Sequence, residues 1–414
     1  MSKKEDKMIE QNDPDRALVY SWLQVIVALA FYRMRRIAVV LLISLLILLA
    51  EGCQKEDIDT VCTYDKTVIV YMAADNSLSS YSKKNINQME SVICDDQNLI
   101  VYWDSSSDGC QILKITHDET DEIRSEVVKT YPEQNSADTD IFANVLDYIC
   151  DMYPSQSFGL VLWSHGTSWL PPTSTNLKEK SFGLDNDYEI DITDLKSVIS
   201  NRFDYIIFDA CFMGSIEVAY ELRGNVNYML ASPTETLSYG FPYELIIPYL
   251  FSSKDNVSIL TSVAKEYYAY YSSLAGAYQS ATISLIDMRE LDKLAEITQK
   301  LICNYPLEIW EYNKDSIQKL DSYDKPIFYD FYDFLEKNYP IDSLAVVKVA
   351  LETTILYEAH TEKFLGGDGF GYRGFNINTC CGLSCYVPQE GSSYNTYYQT
   401  LDWARDSGFS NLFE

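Results

Sequence analysis

The sequence predicts an α/β fold in which a mostly parallel sheet is flanked by helices. Apolar runs of strand length alternate with amphipathic helical segments from about residue 67 to residue 231, and this alternation is typical of a parallel sheet. Several of the runs are apolar throughout, which indicates strands that are buried on both faces. With 414 residues and 47% hydrophobic side chains, the chain is long enough to bury a full core.

The elements of this sheet can be assigned in chain order. Ile141, Val145 and Ile149 lie at helical spacing, and Gly224 is a typical stop for the helix before it. The predicted strands are 67–72, 98–103, 111–116 in a hairpin, two runs that end at His165 and Cys211, and 228–231. The predicted helices are 80–93, 136–152, 191–200 and 212–223.

The chain changes character past about residue 250, where Tyr-rich helical stretches replace the alternation. The expected elements there are helices at 256–275, 288–303 and 343–360 and strands at 281–286 and 381–387. We therefore predict an α/β domain over 67–250 and a mainly helical C-terminal subdomain over 251–414 that packs on the sheet.

Two of the predicted strands stop at reactive side chains. One apolar run ends at His165, and the other ends at Cys211, with Asp209 two residues before the sulfur. Open α/β sheets place ligands at the carboxyl ends of their strands, so neighbouring strands would bring a thiol and its base together. Each residue also has a structural explanation, as a small core residue, a hydrogen bonder and a helix cap.

The residues around the two strand ends favour chemistry. The pKa of a thiol falls at a helix N-terminus or beside an imidazolium, and we expect Cys211 to lie where a strand passes directly into a helix. Gly166 follows the histidine and has no side chain to obstruct its N–H. The N–H groups of Gly166 and Cys211 are therefore candidates for an oxyanion hole, with each donor typically worth about 3 kcal/mol.

Four segments resemble the clostripain family of cysteine peptidases, which belongs to the caspase-like clan. They are VIVYMAADN at 68–76, GLVLWSHG at 159–166, FDACFMGSIEVAYEL at 208–222 and ASPTE at 231–235. The similarity runs over about 65–250, with a weaker echo at 382–388. It implies a caspase-like α/β/α sandwich and an endopeptidase that cuts after Arg or Lys through an acyl-enzyme.

The resemblance also implies a role for each residue of the site. His165 is the general base or orienting imidazole, and Cys211 is the nucleophile. Asp209 matches the acid at the floor of the pocket that selects Arg or Lys, where a buried carboxylate would face a cationic side chain. Glu235 matches an acid on the second wall of that pocket, and a solvated loop charge is the alternative interpretation.

Self-processing and calcium use are further implications of the resemblance. The family often matures by cutting a loop after the histidine-bearing strand, and the loop 168–181 offers Lys180 for such a cut, although lysines are ordinary in polar loops. Some relatives use calcium, and Asp185 with Asp187 could bind it, but no EF-hand spacing supports a site. No cofactor and no metal are therefore expected.

The N-terminal region resembles a bacterial lipoprotein signal. Arg35 and Arg36 precede the apolar run 37–50, and Cys53 follows a small residue, as in signals whose cysteine is lipidated. We predict a signal peptide over 34–52 and a lipid anchor at Cys53. This places the protein at the outer membrane, facing the cell surface or the periplasm.

The residues before and after this signal are interpreted separately. Residues 1–33 are interpreted as an over-extended reading of the gene, because Met34 directly precedes the signal and could be the true start. The alternative is a first membrane helix over 17–32. Residues 53–66 are interpreted as a tether.

Composition limits the partners. The 61 acidic and 32 basic residues argue against nucleic acid, which requires a basic surface. The chain has ten cysteines but no CxxC pair and only three histidines, which argues against a zinc site. Polypeptide substrates with a basic residue before the cut, and a membrane reached through the lipid anchor, are the expected partners.

A non-catalytic function is the alternative. The 33 tyrosines and six tryptophans on an acidic, exported chain would suit a glycan- or peptide-binding surface lipoprotein built on a peptidase scaffold. An intact pair of His165 and Cys211 argues against it. A serine hydrolase is disfavoured because no G-x-S-x-G motif occurs.

Overall fold

The computed structural model describes Trp22, Met34 and residues 64–171, 181–185, 188–199, 201–308, 310, 312–366 and 374–413. Residues Cys62–Glu414 form one compact unit. No helix in the described ranges is long and apolar enough to cross a membrane. The predicted lipidation site Cys53 and the predicted processing site Lys180 lie outside these ranges.

A nine-stranded sheet lies at the centre of this unit, in the spatial order β12-β10-β9-β8-β5-β1-β2-β3-β4. In chain order the strands are β1 (Tyr64–Ala74), β2 (Asn98–Ser105), β3 (Gly109–Lys114), β4 (Glu126–Tyr131), β5 (Ser155–Trp163), β6 (Phe182–Asp185), β7 (Tyr188–Ile190), β8 (Tyr205–Asp209), β9 (Tyr228–Ala231), β10 (Thr282–Asp287), β11 (Phe328–Asp330), β12 (Ile355–His360), β13 (Lys363–Phe364), β14 (Phe375–Asn376) and β15 (Ser384–Tyr386). Strands β2, β1, β5, β8 and β9 pair in parallel, and the strands beyond them on both sides pair antiparallel.

The helices in the described ranges cover both faces of the sheet. In chain order they are α1 (Ser79–Glu90), α2 (Thr139–Met152), α3 (Ile192–Val198), α4 (Ile216–Leu222), α5 (Tyr243–Leu250), α6 (Asn256–Ser273), α7 (Leu291–Asn304), α8 (Phe331–Asn338), α9 (Ala345–Thr354), α10 (Asn395–Tyr398) and α11 (Asp402–Asp406). Apolar residues of α2, α3, α4, α7 and α9 share one core with one face of the sheet, and those of α1, α5 and α6 share another with the opposite face.

Strand β1 shows why the parallel strands read as continuous apolar runs. Ile69 and Tyr71 belong to the first core, whereas Val68 and Val70 belong to the second, and all four are fully buried. Successive side chains of a strand point to opposite faces, so a strand covered on both sides needs apolar residues at every position. The predicted α/β sandwich with a mostly parallel sheet is confirmed.

The C-terminal third contributes more than helices. Strands β10 and β12 from this third extend the central sheet beyond β9, and Cys62–Glu414 is one compact unit, so residue 250 does not separate two units here. The segment 382–388 contributes β15, and Ser384 bridges to Ser215 just before α4. The C-terminal third is thus part of the central sheet and of its surroundings.

The sequence prediction differs from the structure at both edges of the sheet. The helix expected over 343–360 ends at Thr354, and Ile355–His360 forms β12 instead, because this segment pairs with β10 along an open edge. Strand β4 was not predicted, since its half-exposed residues lack a continuous apolar run. In both cases pairing with a neighbouring strand decides the conformation, and local sequence alone does not encode it.

Candidate active site

The pairing of β5 with β8 brings the two predicted residues to one edge of the sheet. The strands are parallel neighbours, and Trp163 lies opposite Asp209. Two residues further on, His165 and Cys211 occupy equivalent positions beyond the strand ends. Both side chains line one cavity of about 280 Å³, together with Asp209 and Glu235.

A tight turn, and not a helix, follows Cys211. Phe212 adopts a left-handed conformation with φ of 61°, which is rare for a bulky residue, and its N–H donates to Thr234 O at 2.8 Å. Gly214 is packed so closely that a Cβ there would lie 2.6 Å from Pro233 N. Helix α4 begins only at Ile216, where the Ser215 side chain caps it. The expected direct passage from strand to helix at Cys211 is therefore wrong, and Asp209 is not the helix cap.

The environment of Cys211 raises the pKa of its thiol. Burial is the main cause, the negative charges of Glu235 and Asp209 add to it, and the pKa rises to about 12. The sulfur also accepts a hydrogen bond from Thr236 N at 3.3 Å, which acts in the opposite direction. The expected lowering of the thiol pKa by a helix dipole is wrong. The next helix along the chain starts five residues after Cys211, and the field of a helix dipole falls off within one turn.

His165 is held by a residue that the sequence did not point to. The Nε2 atom of His165 lies 2.9 Å from the Ser77 hydroxyl, which follows β1. Burial lowers the pKa of His165, so the imidazole is neutral at pH 7 and able to accept a proton. Because Ser77 is exposed, apolar periodicity could not have identified it.

Gly166 lies against the backbone of Cys211. A Cβ at this position would be 2.7 Å from Cys211 O and 3.0 Å from the Ala210 side chain. Gly166 lies opposite Phe182 in an antiparallel bridge. The two hydrogen bonds of this bridge are made by the flanking residues, from Thr167 N to Ser181 O and from Gly183 N to His165 O, so Gly166 and Phe182 are a non-hydrogen-bonded pair. Gly166 is therefore required by close contact with the strand end that carries Cys211.

Asp209 lines the cavity and is only 4% exposed. Its Oδ2 accepts hydrogen bonds from Phe241 N and from the Tyr243 hydroxyl, each at 3.0 Å. Burial raises the pKa of Asp209 to about 6, although both hydrogen bonds oppose this rise. Gly240 has φ of +68°, and a Cβ there would lie 2.6 Å from Asp209 Oδ2, so this turn also depends on glycine. Tyr243 carries no signal in the sequence that would have found it.

The remaining predicted site residues divide between the cavity and other parts of the chain. Glu235 lines the cavity, as expected. Asp185 is buried and accepts a hydrogen bond from Ser136 N at 2.6 Å, so at least one of its oxygens is used within the fold. Asp187, the second calcium candidate, lies outside the described residues, as does Lys180.

Several known proteins resemble this chain in sequence and fold. A family model for the clostripain family matches residues 70–414. Clostripain from Hathewaya histolytica is 23% identical over 423 residues, covering 84% of this chain and 79% of clostripain. An inactive zymogen C11 protease from Parabacteroides distasonis is 31% identical with a TM-score of 0.72, covering 85% of this chain and 99% of the zymogen chain. A secreted C11 cysteine protease from Bacteroides thetaiotaomicron in complex with an irreversible peptide inhibitor is 28% identical with a TM-score of 0.71, covering 84% and 99%.

The fold and the site define a cysteine peptidase with a caspase-like sheet. The chain belongs to the clostripain family. The family resemblance seen in the sequence is thereby confirmed, and so is the expectation of an enzyme that acts on polypeptides.

Proposed function

We propose that the protein is an endopeptidase that cleaves after Lys or Arg, with Cys211 as nucleophile and His165 as base. The observation that carries this proposal is the buried carboxylate of Asp209, which lines the same cavity as Cys211 and His165. Its hydrogen-bond donors in the described part of the chain are neutral groups, so a cationic side chain entering the cavity would supply the countercharge.

The proposed reaction proceeds through an acyl-enzyme. The Cys211 sulfur attacks the carbonyl carbon of the scissile bond while its proton passes to His165, which then protonates the leaving amine as the C–N bond breaks. Water, deprotonated by His165, attacks the thioester and releases the carboxylic acid and the thiol. The close contact between Gly166 and Cys211 supports their two N–H groups as donors to the developing oxyanion.

Substrate charge would also help to activate the thiol. At neutral pH both partners are uncharged, since burial raises the pKa of Cys211 and lowers that of His165. The charges of Asp209 and Glu235 oppose ionisation of the sulfur. A Lys or Arg side chain bound between these acids would offset their charge and favour the thiolate. Basic substrates would thus gain in reactivity as well as in binding.

An active-site label tests the assignment of the nucleophile. We expect Cys211→Ala to abolish cleavage of a reporter peptide with Arg before the scissile bond and to abolish labelling by an acyloxymethyl-ketone probe that carries Lys. Cys303→Ser, at an exposed cysteine, is the matched control and should keep both. Cleavage that survives Cys211→Ala would contradict the proposed function, and a wild-type protein that neither reacts nor cleaves would favour a binding protein.

We also propose that the enzyme processes itself after Lys180. The support is the position of this lysine between the histidine-bearing strand and Ser181, a described residue whose carbonyl accepts the Thr167 N–H next to the active site. A purified wild-type chain should yield a fragment beginning at Ser181, whereas Cys211→Ala and Lys180→Gln should remain intact. Lys178→Gln is the control; if it blocks the cut and Lys180→Gln does not, the site is misassigned.

The lipid anchor at Cys53 is likewise a proposal, supported by the basic and apolar residues that precede it. Wild-type protein expressed in a bacterium should incorporate labelled palmitate and sediment with membranes, and Cys53→Ser should do neither. Cys62→Ser serves as the control. Equal incorporation of label by wild type and Cys53→Ser would rule out this anchor.

A further inference from the structure

A second cluster of reactive side chains lies on an edge of the sheet, outside the catalytic cavity. A carboxylate oxygen of Glu358, a ring nitrogen of His360 and the sulfur of Cys380 all lie within 4.8 Å of one another. Glu358 and His360 are two residues apart on β12, so their side chains leave the same face of the strand. Two antiparallel pairings separate β12 from β9, so β12 runs in the direction of the parallel strands and His360 is at the active-site end.

The fold holds Cys380 against this strand. Ser284 Oγ donates to Gly382 O at 2.5 Å, and Cys381 N donates to Asp330 Oδ2 at 2.6 Å, which fixes the chain just after Cys380. Gly382 has φ of +91°, and a Cβ there would lie 3.4 Å from Glu358 Cγ. The approach of this segment to β12 is therefore specified by these two hydrogen bonds and by a glycine.

The donor set selects the kind of ion. Sulfur and imidazole nitrogen are ligands of zinc and similar transition metals, whereas calcium and magnesium take oxygen ligands. We propose that Glu358, His360 and Cys380 bind one divalent ion of the zinc class and leave its fourth position to water. Tetrahedral coordination at about 2.0–2.3 Å requires ligand atoms about 3.4 Å apart. Glu358 Oε1 and His360 Nδ1 are now 2.6 Å apart, so a shift of under about 1 Å admits the ion.

The local charge favours a cation. Asp330 is fully buried and accepts a hydrogen bond from the N–H of Cys381, the residue after Cys380, and Glu358 adds a second carboxylate. A coordinated dication offsets these charges and deprotonates the thiol. The sequence did not predict this site because its ligands are brought together by a chain reversal and have no recognisable spacing.

The site is connected to the catalytic cavity through the chain. Six residues after His360, Gly366 lines that cavity. Thr282 lies opposite His360 on β10, and its hydroxyl is 2.8 Å from the hydroxyl of Thr234. Thr234 directly precedes Glu235 in the chain. An ion at β12 would thus fix the edge of the sheet next to the wall that carries Glu235.

Metal binding tests the proposal independently of peptidase activity. The full chain with Cys211→Ala, which lacks the catalytic thiol, should bind one equivalent of Zn²⁺ in competition with a chromophoric chelator, and zinc should raise its Tm. With Co²⁺ it should show the near-ultraviolet band of thiolate-to-cobalt charge transfer. Adding Cys380→Ser or His360→Gln should weaken zinc binding by at least about tenfold, and Cys380→Ser should remove the band.

Two controls locate the ion. His117→Gln changes a histidine far from β12 and should leave binding unchanged. Cys110→Ser changes a different group, Asp104, Cys110 and Glu133, whose donor atoms also lie within 4.8 Å of one another, and it should have no effect either. Loss of binding in Cys110→Ser, unchanged binding in Cys380→Ser, or no zinc bound by the parent would each overturn the proposal. Should Cys380→Ser not fold, Glu358→Gln at a partly exposed side chain makes the same test.

Discussion

Replacing Asp209 with asparagine removes the proposed specificity charge and keeps the shape of the side chain. One amide oxygen can still accept the Phe241 N–H and the Tyr243 hydroxyl, which both donate to Oδ2 at 3.0 Å. The amide nitrogen then takes the place of Oδ1 and presents donors to the cavity, and a Lys or Arg side chain also brings only donors. The substitution therefore turns attraction into repulsion for a cationic substrate, while a neutral substrate meets a site of nearly unchanged shape.

The size of the effect follows from the burial of Asp209. With only 4% of the residue exposed, solvent screens the pair weakly. Loss of one partner of a buried, hydrogen-bonded charge pair costs about 2–5 kcal/mol. At about 1.4 kcal/mol per tenfold, kcat/KM for an arginine substrate should fall by about 30- to 4,000-fold.

Two peptides that differ only before the scissile bond provide the assay. One carries arginine and the other citrulline, a neutral residue of the same shape, and kcat/KM is measured for both. Asp209→Asn should lower the arginine value and leave the citrulline value within a few fold. Asp204→Asn is the control, because this acid precedes the opposite end of β8 and hydrogen-bonds Ser157. An equal loss on both peptides would refute the reasoning.

Three further predictions concern the groups around the thiol. Ser77→Ala should lower kcat by about 2- to 13-fold at unchanged KM, because it removes from His165 one hydrogen bond worth about 0.5–1.5 kcal/mol. Ser77→Thr should restore kcat, and a change in KM alone would contradict this role. Glu235→Gln should speed alkylation of Cys211 by iodoacetamide at pH 8, because the Glu235 charge opposes the thiolate; a slower rate would contradict that charge effect. In the wild type, kcat/KM for arginine peptides should fall as pH falls through about 6, where Asp209 takes up a proton. If the same decrease at low pH persists in Asp209→Asn, it would belong to His165 and contradict the assignment to Asp209.

The sequence predicted the parts of the site that depend on the regular sheet. Buried parallel strands must be apolar at every position, so the ends of β5 and β8 are visible as the points where apolar runs stop. Since these strands are neighbours with Trp163 opposite Asp209, residues at the same distance beyond each end meet in space. The position of His165 and Cys211 at one cavity on this edge of the sheet could therefore be predicted from the amino-acid sequence alone.

The residues that the sequence did not reveal reach the site through turns and distant segments. Tyr243 lies 34 positions beyond Asp209 and meets it only because the turn at Gly240 passes against the carboxylate. The helix after Cys211 was placed too early, because the left-handed Phe212 depends on a hydrogen bond to Thr234 in another loop. A periodic pattern records which face of an element is buried, whereas these contacts depend on how the loops close. The pKa of Cys211 also depends on how the loops close, since burial and the loop acid Glu235 raise it. A sequence motif alone predicts a lowered pKa.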